Sequence, residues 1–192
     1  MQRPNTLLSC VPRSELPEDL QGFHDMLTGL AGEAVNTEVF GNHPDLYRWY
    51  FQQFYEKLFN GSEGTMLVDS RYKELIRLKL SLSHGCHVCN SSNVPSSLAA
   101  GFTQQQIDAV FAPTPDVFSD AELAVIELGE QFLIQNVDGS LTPELHKRLS
   151  AHFTDAQILE LGLIASILAG WSKMMFAFDI VTREDNCPIA AG

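Results

Sequence analysis

Four cysteines, nine prolines and thirteen glycines in 192 residues are too few for a disulfide scaffold, a collagen-like repeat or a low-complexity tract. Basic residues are scarce as well. Twelve Lys and Arg face 24 Asp and Glu, a net of −12, and none lies between Lys79 and Lys147. A nucleic-acid partner needs a basic stripe to displace counterions, so that class is excluded. Anionic membrane surfaces are disfavoured on the same ground, and the acidity reads as solubility. No apolar run reaches the roughly 20 residues that cross a bilayer. The longest, between Glu160 and Lys173, reads as a buried helix. The first residues lack the apolar stretch of a signal peptide. The expectation is a cytoplasmic protein without a membrane partner, its thiols in a reducing compartment.

What is present is helical periodicity, with no two-residue alternation. The length fits one domain, and residues 1–18, with three prolines, read as an extended arm before a single domain over 19–192. Helices are expected from Asp19 to Gly32, with Leu20, Phe23, Met26, Leu27 and Leu30 as the apolar side, and from Asp45 to Asn60 behind Pro44. The next runs from Asp69 to Ser83. Its Leu75, Ile76, Leu78, Leu80 and Leu82 surround the helix and predict burial on nearly all sides, with Gly85 as the left-handed stop. Cys86 to Ala100 is expected to be helical in part, starting near Ser92 because Pro95 disturbs a helix interior. Capping boxes at Thr103/Gln106, Ser119/Glu122 and Thr154/Gln157, and Thr142-Pro143, mark helices over about 103–111, 119–136, 154–179 and 142–151. The fold class is all-α. Phe102 to Ile107 matches Phe153 to Ile158 at four of six positions, an echo that either an internal repeat or shared capping chemistry produces.

One constellation carries chemistry: Glu74, eleven residues, then Cys86-His87-Val88-Cys89. Cysteines at i and i+3 on a helical turn face one side and can pass between dithiol and disulfide. A helix N-terminus beside them favours the thiolate, the nucleophilic form. Glu74 sits on an otherwise apolar helix. Desolvation there would raise its pKa and suit it to proton transfer, or it could simply complement the helix dipole. A metal would need more ligands than the nearby His84 and His87 provide, with no second CxxC. Covalent haem would need His where Asn90 stands. Cys10 and Cys187 read as plain thiols.

Glu74-x11-Cys86-x2-Cys89, followed by a helix ending at Gly101, resembles the alkylhydroperoxidase D-like branch of the carboxymuconolactone decarboxylase family. Weaker likeness extends through His43-Pro44-Asp45-Leu46, Trp49, Phe153-Thr154 and Trp171-Ser172-Lys173, covering roughly residues 40–180. The resemblance implies an alkylhydroperoxidase D-like helical bundle that assembles as a trimer or hexamer. It implies a thiol peroxidase that needs no metal, flavin or haem. Cys89 would attack a hydroperoxide, Cys86 would resolve the sulfenic acid to a disulfide, an external dithiol would reduce that disulfide, and Glu74 would belong to a proton relay. One position departs from the pattern. The relay histidine falls four residues after the second cysteine, where this chain has Asn93. Asparagine hydrogen-bonds but carries no proton at neutral pH, so His84 or His87 would have to substitute. Two other readings stand beside the peroxidase: a lactone decarboxylase of the same family, and a non-enzymatic helical assembly protein with a vestigial CxxC.

Overall fold

A computed structural model describes residues 3–60 and 66–184. Among the described residues the chain is helical, and its one β-type contact is an isolated bridge between Cys86 and Arg183. Residues 3–17 form an extended lead-in with a 3-10 turn at Arg13–Glu15. It lies along the body: the Val11 amide donates to the Glu38 carbonyl at 3.0 Å, and Leu16 is buried.

Helix α1 (Glu18–Ala31) ends on Gly32 at φ 72°, a left-handed stop that suits a residue without Cβ. Only part of its expected apolar side is covered. Leu20 and Leu27 are buried, whereas Met26 and Leu30 are exposed. A short helix α2 (Val35–Phe40) follows where the sequence signalled none. Pro44 opens α3 (Pro44–Arg48), which continues as a π-helical stretch over Trp49–Tyr55 and then as α4 (Glu56–Asn60). The expected single helix is thus interrupted by wider turns.

Helix α5 (Ser70–His84) is the central element, capped by the Asp69 side chain and stopped by Gly85 at φ 63°. Its burial on nearly all sides extends to two lysines. Lys73 Nζ reaches the Leu58 carbonyl at 2.9 Å and Glu160 at 3.0 Å. Lys79 Nζ reaches the Val110 carbonyl at 3.1 Å and Glu130 at 2.8 Å. These partners meet the requirement that a buried charge be paired.

Helix α6 (His87–Ala99) begins five residues before the expected start and carries Pro95 inside it. Its first turn is fixed by tertiary bonds rather than by propensity. The His87 amide donates to the Thr182 carbonyl at 3.1 Å and Asn90 Nδ2 to Glu184 at 2.9 Å. The three expected capping boxes form at α7 (Gln104–Ala109), α8 (Asp120–Glu130) and α10 (Asp155–Ala177), and Thr142 caps α9 (Pro143–Ser150). Phe102 with Ile107, and Phe153 with Ile158, are buried around the first and third boxes. A box plus a hydrophobic staple therefore accounts for all four matched positions of the echo. Helix α8 stops at Glu130, short of the expected 136. The Asn136 side chain donates to the Glu130 carbonyl at 2.9 Å and turns replace the last residues.

The main core gathers Leu75, Leu78, Ile126, Leu149, Leu161 and Ile164 from α5, α8, α9 and α10. A second core joins Leu20, Val35, Phe40, Cys86, Met175 and Ile180. By length and composition α10 could span a membrane, but here Leu161, Ile164 and Ala165 are fully buried in the main core. Its outer side leaves Leu159 and Leu163 exposed.

Candidate active site

Gly85 turns the chain out of α5 so that Cys86 becomes the N-cap of α6. Cys86 and Cys89 are joined as a disulfide, with Cα atoms 5.2 Å apart. The two sulfurs differ in surroundings. Cys86 is fully buried in the second core, and its Sγ accepts from the Cys89 amide at 3.3 Å. Cys89 is half-buried and lines a cavity of ≈ 420 Å³. A strand-like strap over residues 182–184 clamps the turn from outside. The Glu184 amide donates to the Gly85 carbonyl at 2.9 Å, and Thr182 is held in turn by Glu33 at 2.8 Å.

Asn93, one turn after Cys89 on α6, is buried and lines the same cavity. Glu74 is not a lone desolvated carboxylate, as expected, but is ion-paired with Arg77, one turn further along α5. Arg77 also donates to the Tyr55 hydroxyl at 3.0 Å and to Ser96 Oγ at 2.9 Å, and it lines the cavity. Burial opposes its charge, but Tyr55 and Glu74 beside it outweigh that and hold its pKa above the ordinary value. Burial pushes the Tyr55 phenol up, with Arg77 pulling the other way.

Neither candidate substitute histidine reaches the cavity lining. His84 is fully buried, its Nε2 accepting from the Ile134 amide at 3.2 Å, and burial pushes its pKa down to about 4. His87 Nε2 lies 3.0 Å from the Ala31 carbonyl and Nδ1 3.5 Å from Glu184, so the ring tethers α6 to α1 and the strap. Among the described residues no cluster of three or more His, Cys, Asp and Glu is placed to hold a metal. Cys10 is an exposed free thiol, and Cys187 lies outside the described residues.

The sequence pointed to no cavity: Trp171 and Ser172 stood there only as weaker family likeness, and Phe23 and Met26 only as an apolar helix side. The π-helical stretch presents Tyr50, Phe51 and Tyr55 to the cavity, and α10 presents Leu168, Trp171 and Met175. Trp171 stacks nearly parallel to both Phe40 (5.4 Å, 8°) and Tyr50 (3.8 Å, 7°), with Phe51 almost perpendicular to it at 5.3 Å. The legible signals were the aromatic run from Trp49 to Tyr55 and an arginine three residues after Glu74.

The arrangement is an AhpD-like helical fold that carries a Cys86–Cys89 disulfide at a helix start, beside an aromatic cavity. An alkylhydroperoxidase AhpD core, an uncharacterized peroxidase-related protein from Ralstonia eutropha JMP134, superposes with a TM-score of 0.68 at 15% identity, over 96% of this chain and 95% of that one. The debrominase Bmp8, in complex with 2,3,4-tribromopyrrole, gives 0.70 at 19% identity over 96% and 95%. The sequence profile of the carboxymuconolactone decarboxylase family matches residues 44–131 of this chain. The uncharacterized protein YdfG of Bacillus subtilis (strain 168) is 28% identical over 107 residues, 55% of this chain and 71% of that protein.

Proposed function

We propose that the protein is a thiol-dependent peroxidase working through Cys86 and Cys89. The observation that carries this reading is the asymmetry of the pair, with Cys89 opening on the cavity and Cys86 fully buried at the helix cap. In the reduced protein the Cys89 thiolate attacks the terminal oxygen of a hydroperoxide and the O–O bond breaks. Sulfur keeps one oxygen as sulfenic acid, and the other leaves as an alcohol after taking a proton from solvent at the cavity mouth. Cys86 then attacks Cys89 Sγ, a disulfide forms and water leaves. An external dithiol restores the thiols by attacking the accessible Cys89 sulfur. Cys86 departs as a thiolate, favoured by the Cys89 amide that points at its Sγ.

The roles of the neighbours differ from those the family resemblance implies. Asn93 donates a hydrogen bond to the reacting oxygens but moves no proton. Glu74 holds Arg77, and the paired Arg77 fixes Tyr55 and Ser96 along the cavity wall, while the start of α6 favours the Cys89 thiolate. His87 anchors the redox turn. Assembly as a trimer or hexamer and a cytoplasmic location belong to the same proposal. Replacing Cys89 by serine abolishes hydroperoxide consumption on this account. Replacing Cys86 by serine leaves a single turnover and a trappable sulfenic acid on Cys89. Undiminished consumption by C89S would overturn it.

A further inference from the structure

The walls of the cavity say more about the substrate than the thiols do, and the following inference rests on the peroxidase reading. At ~30 Å³ per water-sized group, ≈ 420 Å³ holds about 14 such groups. Hydrogen peroxide, with two heavy atoms, would leave most of that apolar space wet and unused. The charged residues that line the cavity are Arg77 and Glu56. Arg77 is committed to Glu74, and Glu56 is exposed. A carboxylate-bearing hydroperoxide, such as that of a fatty acid, would therefore find no unpaired cation and would meet a like charge at Glu56.

The aromatic groups have a defined orientation. Phe40 and Tyr50 both stack nearly parallel on Trp171, so stacking room on the indole is already taken and a ligand ring meets it at the edge. An aromatic edge carries partial positive charge and prefers the face of another ring. The stack is packed in advance, so binding a ring there orders little that is mobile. Met26, half-exposed, and Met175 add polarizable thioethers to the same lining, and these also pack well against rings.

We propose that the cavity selects uncharged hydroperoxides that carry an aromatic ring, with the ring face against the Trp171 edge and the peroxide group at Cys89. The reduced protein is assayed with hydrogen peroxide, tert-butyl hydroperoxide, cumene hydroperoxide and linoleic acid hydroperoxide. Cumene hydroperoxide is expected to exceed tert-butyl hydroperoxide in kcat/KM by about tenfold or more, the gain lying in KM, since even one methylene in an apolar pocket is worth roughly tenfold. Trp171→Leu collapses that preference. Phe51→Leu, on the other wall, does the same if the first variant fails to fold.

Binding of the alcohol product, 2-phenyl-2-propanol, to the disulfide form is measured separately by ligand-observed NMR. It is expected to bind with saturation and to lose affinity in Trp171→Leu. This arm needs no turnover. Saturable, Trp171-dependent binding without hydroperoxide consumption would overturn the peroxidase reading and leave the aromatic site standing. Equal kcat/KM for tert-butyl and cumene hydroperoxides, a preference for the fatty-acid hydroperoxide, or no binding of the alcohol would overturn the inference and leave the peroxidase reading intact.

Discussion

Acidifying the protein should loosen the redox turn through a residue that does no chemistry. His84 ends α5 two residues before Cys86, is fully buried, and accepts the Ile134 amide at 3.2 Å. A protonated ring could not accept that bond on the same nitrogen. Burial lowers its pKa from 6.5 to about 4. The unfolded chain therefore binds a proton that the folded chain refuses between those values. Stability from this group is full above pH 6.5 and is lost as pH falls towards 4. The loss is about 2 kcal/mol by pH 5 and levels off near about 3 kcal/mol below pH 4. Other groups titrate in the same window, so the measurement is a difference. Urea denaturation of the wild type and of His84→Gln, whose amide oxygen can take the Ile134 bond, is compared at pH 7.5 and pH 5. The wild type should lose about 2 kcal/mol more than the variant over that interval. Parallel losses in the two proteins would refute the reasoning, because His84 would then not be the group that resists the proton.

Two further outcomes follow from contacts already described. Arg77→Met strands the Glu74 carboxylate, whose side chain is 13% exposed. It should cost about 3 kcal/mol or more, with much of that recovered in the double variant with Glu74→Gln; equal stability of single and double variants in denaturation would contradict it. Gly139→Ala would place a Cβ 1.9 Å from the Gln131 carbonyl oxygen, so the turn after α8 must shift, and thermal denaturation should show a loss of about 1–3 kcal/mol.

Much of this fold was legible because local chemistry and tertiary packing agree in it. Helix α5 is apolar all round and is the centre of the molecule. Helix α10 starts at its capping box, and Gly32 and Gly85 stop helices where a left-handed residue is needed. The errors fall where distant residues decide. Helix α2 has no capping side chain at Ala34 and stands on the burial of Val35 and Phe40 against the second core. Pro95 argued for a late start to α6, yet Thr182 and Glu184, roughly ninety residues downstream, hold its first turn. Helix α8 ends early where Asn136, the last residue of the expected helix, folds back and its side chain caps the Glu130 carbonyl.

The candidate site shows the same division. The spacing of Glu74, Cys86 and Cys89 lies in the sequence, and it led to the pair that the fold joins. The spacing left open which groups share the cavity with Cys89. His84 and His87 are close in sequence but turn into other packing, whereas Arg77, Tyr50 and Trp171 come from three different helical segments. A π-helical stretch at Trp49–Tyr55 has no simple periodic signature, and π turns often sit beside functional sites. Without the wider turns, a 3.6-residue repeat would not set Tyr50 and Tyr55 along one wall.

The measurement that bears most directly on the thiol chemistry is a count of free thiols. Fully reduced protein is quenched before and after one equivalent of cumene hydroperoxide, and any disulfide is located by peptide mass mapping. The account predicts rapid loss of two thiols, mapped to Cys86 and Cys89, with Cys10 still free. No loss over minutes, or oxidation spread over Cys10 and Cys187 with the pair left reduced, would contradict it.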